Sequence, residues 1–433
     1  MLRGLTAEAL ADWERFAASG LAARLGDSIV ATERADASLD GYAAVLCHER
    51  VPFVSYPYEW SFSMLRDAAL LQLDLLLAAL AEDLTLKDAT PYNVQWRGAQ
   101  PVFVDVGSFE ALRAGEPWEG YRQFCMLFLY PLLVQAWRGV PFQPLLRGSL
   151  EGIPPAEARA LLRGRDAFRR GALTHVVLHA RLDRRERGRD VRGELRRAGF
   201  HKGLIEANVR GLRRLVSRLA WEPPATTWTA YAATTSYAEA DADRKAEFVR
   251  SVAAARRRRL VWDLGANDGR FTRLAAEYAD HAVAIDAEAG VIERLYRALR
   301  AEGSRTILPL VADLADPPPA LGWRGLERRP LWERGRPELV LCLALVHHLA
   351  LSANVPLAHV VDWLASLGAE LVVELPTPAD PMVEALLARK RAGLHADYGR
   401  ETFERLLGEA FTVERTEELA GATRVLYHAV PRA

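Results

Sequence analysis

Residues 261–271 read VWDLGANDGRF, an apolar run that closes on Asp263 and is followed at once by Gly265, Asn267 and Gly269. Two glycines four positions apart at the end of an apolar run mark a turn where backbone, rather than side chain, must approach a ligand. In a doubly wound sheet the exit of the first strand faces the ligand crevice, and the helix after it directs unpaired N–H groups at negative charge. A second acid, Asp286, ends the next apolar run, HAVAIDA, where a carboxylate commonly accepts hydrogen bonds from ribose hydroxyls. The chemistry served is the holding of a nucleoside-bearing molecule. A dinucleotide site requires G-x-G-x-x-G, and Gly265-Ala266-Asn267-Asp268-Gly269 lacks that order, which argues against nicotinamide.

The order Asp263, Gly265, Asn267, Gly269 resembles motif I, D-x-G-x-[GN]-x-G, of the class I S-adenosylmethionine-dependent methyltransferases. The resemblance implies S-adenosylmethionine as cofactor, with Asp286 on its ribose and Asp313, in LVADLADP, near the adenine amine. Asn267 stands where the family usually has its middle glycine, and asparagine accepts left-handed backbone angles more readily than most residues. The upstream segment WTAYAATTSYAEADADRKAEFV resembles the lead-in of a methyltransferase subgroup that includes nodulation-type proteins of soil bacteria, where it covers the cofactor pocket. By that likeness Tyr231, Tyr237 and Lys245 are cofactor contacts; the other reading is that the aromatics pack a linker.

Methyl transfer from a sulfonium is an in-line displacement that needs alignment and exclusion of water, and a hydroxyl acceptor also needs a base for its proton. His347 and His348 in LCLALVHHLAL fall at the carboxyl edge of a fourth strand, and imidazole titrates in the useful range. Consecutive residues in extended chain point oppositely, so one of the two is expected to face the pocket. Glu374 in VVELPTPADP is the other candidate base, with Asp380 behind it. No asparagine or aspartate followed by two prolines and an aromatic is present, the arrangement that marks amino-methylation of DNA bases, and no metal-ligand cluster is evident. The expected acceptor is a small molecule, with sugar-containing and lipid-linked metabolites among the candidates and oxygen the favoured atom.

A second stretch, LKDATPYNVQWRGAQPVFVDVGSF, spaces Asp88, Asn93 and Asp105 before Gly107. It resembles the catalytic loop and metal-binding aspartate of kinase-like and aminoglycoside-phosphotransferase-like folds, in which Asn93 and Asp105 would hold magnesium. Residues 1–86 contain no lysine and no glycine-rich lid, so a complete small lobe is not expected. The segment is read as a kinase-like remnant in a unit that is now a scaffold or substrate-binding module, with a chance resemblance as the other reading. A nucleotide-dependent phosphotransferase or nucleotide-binding module remains one alternative, and a protein that only binds the cofactor remains another. The aromatic run PYEWSFSMLRDAA, with Glu59, suggests either core or the lining of an acceptor cleft.

The elements that position these residues divide the chain near residue 220. From about 258 apolar runs alternate with amphipathic helical patterns, which predicts a Rossmann-like α/β domain over 221–433 with a seven-stranded sheet and an antiparallel last strand. Residues 1–220 read as an α-rich α+β unit with buried helices over 67–84 and at YRQFCMLFLYPLLVQAW, then an arginine-rich stretch over 163–218 that suggests a solvated face or an anion patch. A chain of 433 residues with 56 basic and 56 acidic side chains has no global field to draw nucleic acid. Cys47, Cys125 and Cys342 lack paired spacing, and no window reaches membrane-spanning length, so a cytoplasmic protein is expected; nothing in the sequence gives its oligomeric state.

Overall fold

The first 50 residues hold the helix Ala7–Ala18 and three short strands, β1 (Leu2–Leu5), β2 (Thr32–Arg34) and β3 (Ala44–His48), which form an antiparallel sheet in the order β1-β3-β2. The computed structural model of the chain describes residues 1–185, 201–224, 237–391, 393–419 and 421–432. The chain folds as two units, Met1–Arg97 with Pro101–Glu222, and Gly98–Gln100 with Pro223–Ala433.

In the first unit the helix Phe62–Ala81 is the core element. Met64, Leu65, Ala68, Ala69, Leu73 and Leu76 are all inaccessible, as expected of a helix that is apolar nearly all round. It starts five residues before the predicted 67, because the aromatics ahead of Asp67 are themselves core. Tyr56, Tyr58, Trp60 and Phe62 are buried, and buried Glu59 accepts the Tyr56 backbone N–H at 2.9 Å. This run is therefore core and does not line a cleft.

After that helix come β4 (Leu84–Leu86), β5 (Val94–Arg97), β6 (Gln100–Phe103) and β7 (Phe109–Ala111), with β4 paired to β7 and β5 to β6. The second apolar segment is helical over Tyr121–Arg138, with a wide π turn at Cys125–Leu129. Pro131, two residues beyond the turn, has no N–H to return to it, a local reason for the widening. The end of the arginine-rich stretch is the helix Lys202–Ser217, whose Ile205, Val209, Leu212 and Val216 form one buried stripe. This stripe packs on Phe62–Ala81, and Arg213 Nη2 pairs with Asp74 Oδ2 at 3.1 Å.

The second unit is built on seven strands: β8 (Arg258–Leu264), β9 (Ala279–Asp286), β10 (Ile307–Val311), β11 (Leu339–Cys342), β12 (Glu370–Pro376), β13 (Phe411–Glu418) and β14 (Arg424–Pro431). Their order is β10-β9-β8-β11-β12-β14-β13. Asp263 lies opposite Ala284 on one side and Leu341 on the other, both in parallel register. Val261, Trp262 and Leu264 are buried, as a central parallel strand covered on both faces requires. The strand order reverses at β8, which makes its carboxyl end the switch point of the sheet.

β14 alone runs against the parallel strands. It enters between β12 and the edge strand β13, to which it is joined as an antiparallel hairpin. β13 exposes Glu414, Arg415 and Glu418 and bulges between Val413 and Arg415, two features that discourage edge-to-edge pairing. Among the described residues no helix is long and apolar enough to cross a membrane.

Candidate active site

The turn after β8 is made by backbone angles that few residues adopt. Gly265 has φ +78°, Asn267 φ +48° and Gly269 φ +78°. At Gly265 a Cβ would meet Leu345 at an ordinary 3.5 Å, so conformation is the demand there. At Gly269 a Cβ would come within 2.7 Å of Leu295 Cδ1, so the glycine also lets the helix Ala289–Ala301 close on the turn. Asn267 takes the left-handed conformation expected of it.

Asp263 is 2% exposed, and its Oδ2 accepts from the Thr272 hydroxyl at 2.5 Å. This bond ties the end of β8 to the helix Arg270–Ala276. Burial pushes the Asp263 carboxyl up to about 7, against the opposing effect of the Thr272 bond. Asp286, at the end of β9, accepts the backbone N–H of Asn267 at 3.0 Å on one oxygen and that of Glu288 at 2.9 Å on the other. Burial raises its pKa, while these amides and that of Ala287 oppose the rise. Each oxygen keeps a lone pair beyond its amide. Asp313 is exposed two residues past β10, and its Oδ1 accepts the Ala315 N–H at 2.8 Å.

After β11 the chain does not stay extended. Ala344 has φ +50°, His347 is helical at φ −66° and ψ −29°, and a π turn runs from His348 to Ser352. The alternation expected of His347 and His348 is therefore corrected, since both rings lie together, centroids 3.9 Å apart. Burial, then the His348 ring and the charges of Arg424 and Lys245, push His347 down to about 2. Burial and Arg424 push His348 down to about 4. Both imidazoles are neutral throughout the physiological range, and the titration near neutrality expected from the sequence does not hold in this environment.

Glu374 is fully buried at the end of β12 inside a four-charge cluster. Its Oε1 meets Lys245 Nζ at 2.6 Å and Arg424 Nη1 at 3.2 Å, while Arg424 Nε meets Asp380 Oδ2 at 2.6 Å. Lys245, expected on the cofactor, and Glu374, expected as a base, are thus ion-pair partners. Arg424 was not singled out in the sequence; the available signal was one arginine opening the apolar strand TRVLYHAV. Two buried polar atoms beside this cluster, Glu374 Oε2 and His347 Nδ1, have no hydrogen-bond partner among the described residues. A cavity of about 380 Å³ adjoins the π turn, lined in part by Ala350, Asn354, Leu357, Leu394 and Tyr398. Tyr231 lies outside the described residues, and Tyr237 begins the helix Tyr237–Ala254, in which its side chain is not described.

In the first unit Asp105 pairs with Arg3 and accepts from Asn93 Nδ2 at 3.4 Å, and a Cβ at Gly107 would sit 3.1 Å from the Arg3 guanidinium carbon. Asp88 is half-buried, with its pKa raised by burial and by Asp105. An arginine thus stands against the carboxylate that would bind magnesium. Among the described residues no group of three or more His, Cys, Asp or Glu could hold a metal ion. The kinase-like reading of Asp88, Asn93 and Asp105 is not supported.

No family model matches the chain. The nodulation protein NoeA of Rhizobium meliloti (strain 1021) is 34% identical over 389 residues, covering 89% of this chain and 81% of that protein. Among solved structures, the N-methyltransferase NodS of Bradyrhizobium japonicum WM9 with S-adenosyl-L-homocysteine aligns at 15% identity and a TM-score of 0.35, covering 48% of this chain and 94% of NodS. The magnesium protoporphyrin IX methyltransferase ChlM of Synechocystis PCC 6803 with bound SAH aligns at 15% identity and a TM-score of 0.34, covering 52% and 95%. On the extent and identity of its match to NoeA, the chain belongs to the NoeA family of nodulation proteins.

Proposed function

We propose that the second unit is an S-adenosylmethionine-dependent methyltransferase acting on a small molecule. The observation that carries the reading is the turn at the switch point: left-handed Gly265, Asn267 and Gly269 held against Asp286, whose two oxygens each take one backbone amide and keep acceptor capacity for a sugar. In this reading Asp286 accepts from the ribose hydroxyls and Asp313 approaches the adenine. Bound there, the sulfonium supplies an electrophilic methyl group and leaves as a neutral thioether. Asp263 acts through Thr272 by fixing the turn. The orphaned Glu374 Oε2 and His347 Nδ1 mark where a ligand's polar atoms complete the carboxyl edge of the sheet.

The acceptor occupies the cavity beside Ala350 and Tyr398, and oxygen is the acceptor atom. An oxygen attacking a methyl group becomes a much stronger acid as the C–O bond forms. Late proton transfer to a weak, neutral imidazole is therefore downhill, and His348, the less buried of the pair, is the group we assign to it. The first unit is an accessory domain that selects ligands, and sugar-containing or lipid-linked acceptors remain within the class. Titration calorimetry with S-adenosylhomocysteine tests the reading. Saturable binding that weakens at least about tenfold in Asp286→Ala, for loss of hydrogen bonds to a charged group, is the expected result; no heat from the wild type, or equal affinity in the variant, refutes it.

A further inference from the structure

We infer that the first unit carries a binding site for a small phosphorylated molecule, in a cavity of about 520 Å³ lined by Trp137, Arg169, Arg170, His175, Arg214 and Arg218. The volume falls within the range of small-molecule sites. Among the described residues no carboxylate lines it, although the chain as a whole balances 56 basic residues with 56 acidic ones. The positive charge there is a local concentration, not a reflection of composition.

The helix Lys202–Ser217 shows how that concentration arises. Gly211, Arg214, Leu215 and Arg218 follow the spacing i, i+3, i+4, i+7 and so share one face, which lines the cavity. Arginines elsewhere on the helix are paired: Arg210 Nη2 meets Glu206 Oε2 at 3.0 Å, and Arg213 meets Asp74. Arg214, Arg218 and, from the opposing segment, Arg170 have no acidic partner among the described residues. Like charges gathered without counter-ions repel, and a bound anion removes that cost. Guanidinium forks match phosphate oxygens two at a time, which favours a phosphate over a single carboxylate.

The remaining walls call for an organic body on that phosphate. Trp137 carries the Arg169 guanidinium 5.2 Å from its ring centre, and Arg169 is itself held by buried Asp166, Nε to Oδ1 at 3.2 Å. This pair gives the cavity a fixed planar wall. Gly171, at φ +86°, lets the segment approach closely, since a Cβ there would lie 2.6 Å from Leu215 Cδ2. His175 Nδ1 is held by the Tyr121 hydroxyl at 2.9 Å, which orients the ring against the cavity. Burial and His179 push its pKa down to about 4, so it offers hydrogen bonding without charge.

Calorimetry on the full chain with pyrophosphate and with ADP tests the site, the first presenting charge alone and the second adding a planar base. Both are expected to bind saturably and more weakly as salt is raised. The double variant Arg214→Gln/Arg218→Gln should weaken both by about tenfold or more. Arg210→Gln, on the same helix but paired elsewhere, should leave both unchanged, and Trp137→Leu should weaken ADP alone. Circular dichroism confirms that each variant is folded. Absence of saturable binding up to millimolar concentrations overturns the proposal, as does equal affinity in the double variant. It is equally overturned if single-stranded RNA binds more tightly than ADP through the same two arginines. None of these outcomes bears on methyl transfer in the second unit.

Discussion

Replacing Arg424 with methionine is the most severe single change the structure predicts in the second unit. Arg424 is the cation facing Asp380, with Nε–Oδ2 at 2.6 Å and Nη2–Oδ1 at 3.3 Å, and it shares Glu374 Oε1 with Lys245. Both carboxylates are essentially inaccessible, so water cannot replace the lost partner. Removing one member of a buried pair costs about 3–5 kcal/mol, most of it the stranded charge. Asp380 would bear that cost, because Glu374 retains Lys245. Lys245→Met leaves Arg424 on both acids and should cost less, about 1.5–3 kcal/mol, as for one hydrogen bond to a charged group. Arg424→Met combined with Asp380→Asn should be less destabilised than Arg424→Met alone, with a coupling of about 1–3 kcal/mol. Hydrogen exchange followed by mass spectrometry reads the loss on β12 and β14 peptides, which is preferable to a global melt in a chain of two units. Exchange in Arg424→Met within about 1 kcal/mol of wild type would refute the cluster as a structural tie.

Further expectations follow from the same geometry. The Asp263 carboxyl titrates at about 7 in the fold against 3.8 unfolded, so the folded state holds the proton more tightly. Its contribution to stability is therefore full below pH 4 and is lost as pH rises through 7, by at most about 4 kcal/mol at 1.36 kcal/mol per unit. Urea titrations of β8–β9 protection in the ligand-free protein, run between pH 5 and 8, should show a flatter pH dependence in Asp263→Asn; an unchanged slope contradicts this. Gly269→Ala meets both an unfavourable φ and the Leu295 side chain, whereas Gly265→Ala meets only the φ penalty of about 1–2 kcal/mol. Urea titrations of β8–β9 protection should rank Gly269→Ala as the worse of the two, and the reverse order would be wrong for this turn. His348→Gln should lower kcat by about 10²-fold with little change in affinity for S-adenosylhomocysteine; an equal loss in both would make the ring structural.

The second half of the chain was legible because its signals are local. Seven apolar runs, the glycines at 265 and 269 and the acids closing β8 and β9 are each readable within a dozen residues, and the sheet places them side by side. The placing of β14 between β12 and β13 was not readable at that range, because the hairpin signal gives the pairing but not which strand faces β12. The side chains behind the turn were harder still. Arg424 reaches Glu374 and Asp380 from 50 and 44 positions away, and Lys245 reaches Glu374 from the helix before the sheet. Those pairings place Lys245 and Glu374 in an ion cluster that no stretch of a dozen residues reveals. The alternation expected of His347 and His348 failed for a different reason: it holds only in extended chain, and the positive φ at Ala344 ends the extension before they are reached. In the first unit the spacing of Asp88, Asn93 and Asp105 survived as proximity, but Arg3, distant in sequence, takes the place opposite Asp105.

The account depends on the strand exit at Gly265 gripping a nucleoside through Asp286. A crystal structure of the protein grown with S-adenosylhomocysteine tests this directly. The account predicts the ribose hydroxyls within hydrogen-bonding distance of the Asp286 carboxylate and the nucleoside sulfur on the side of His348; a nucleoside found elsewhere, or the turn closed over by its own side chains in the presence of saturating ligand, contradicts it.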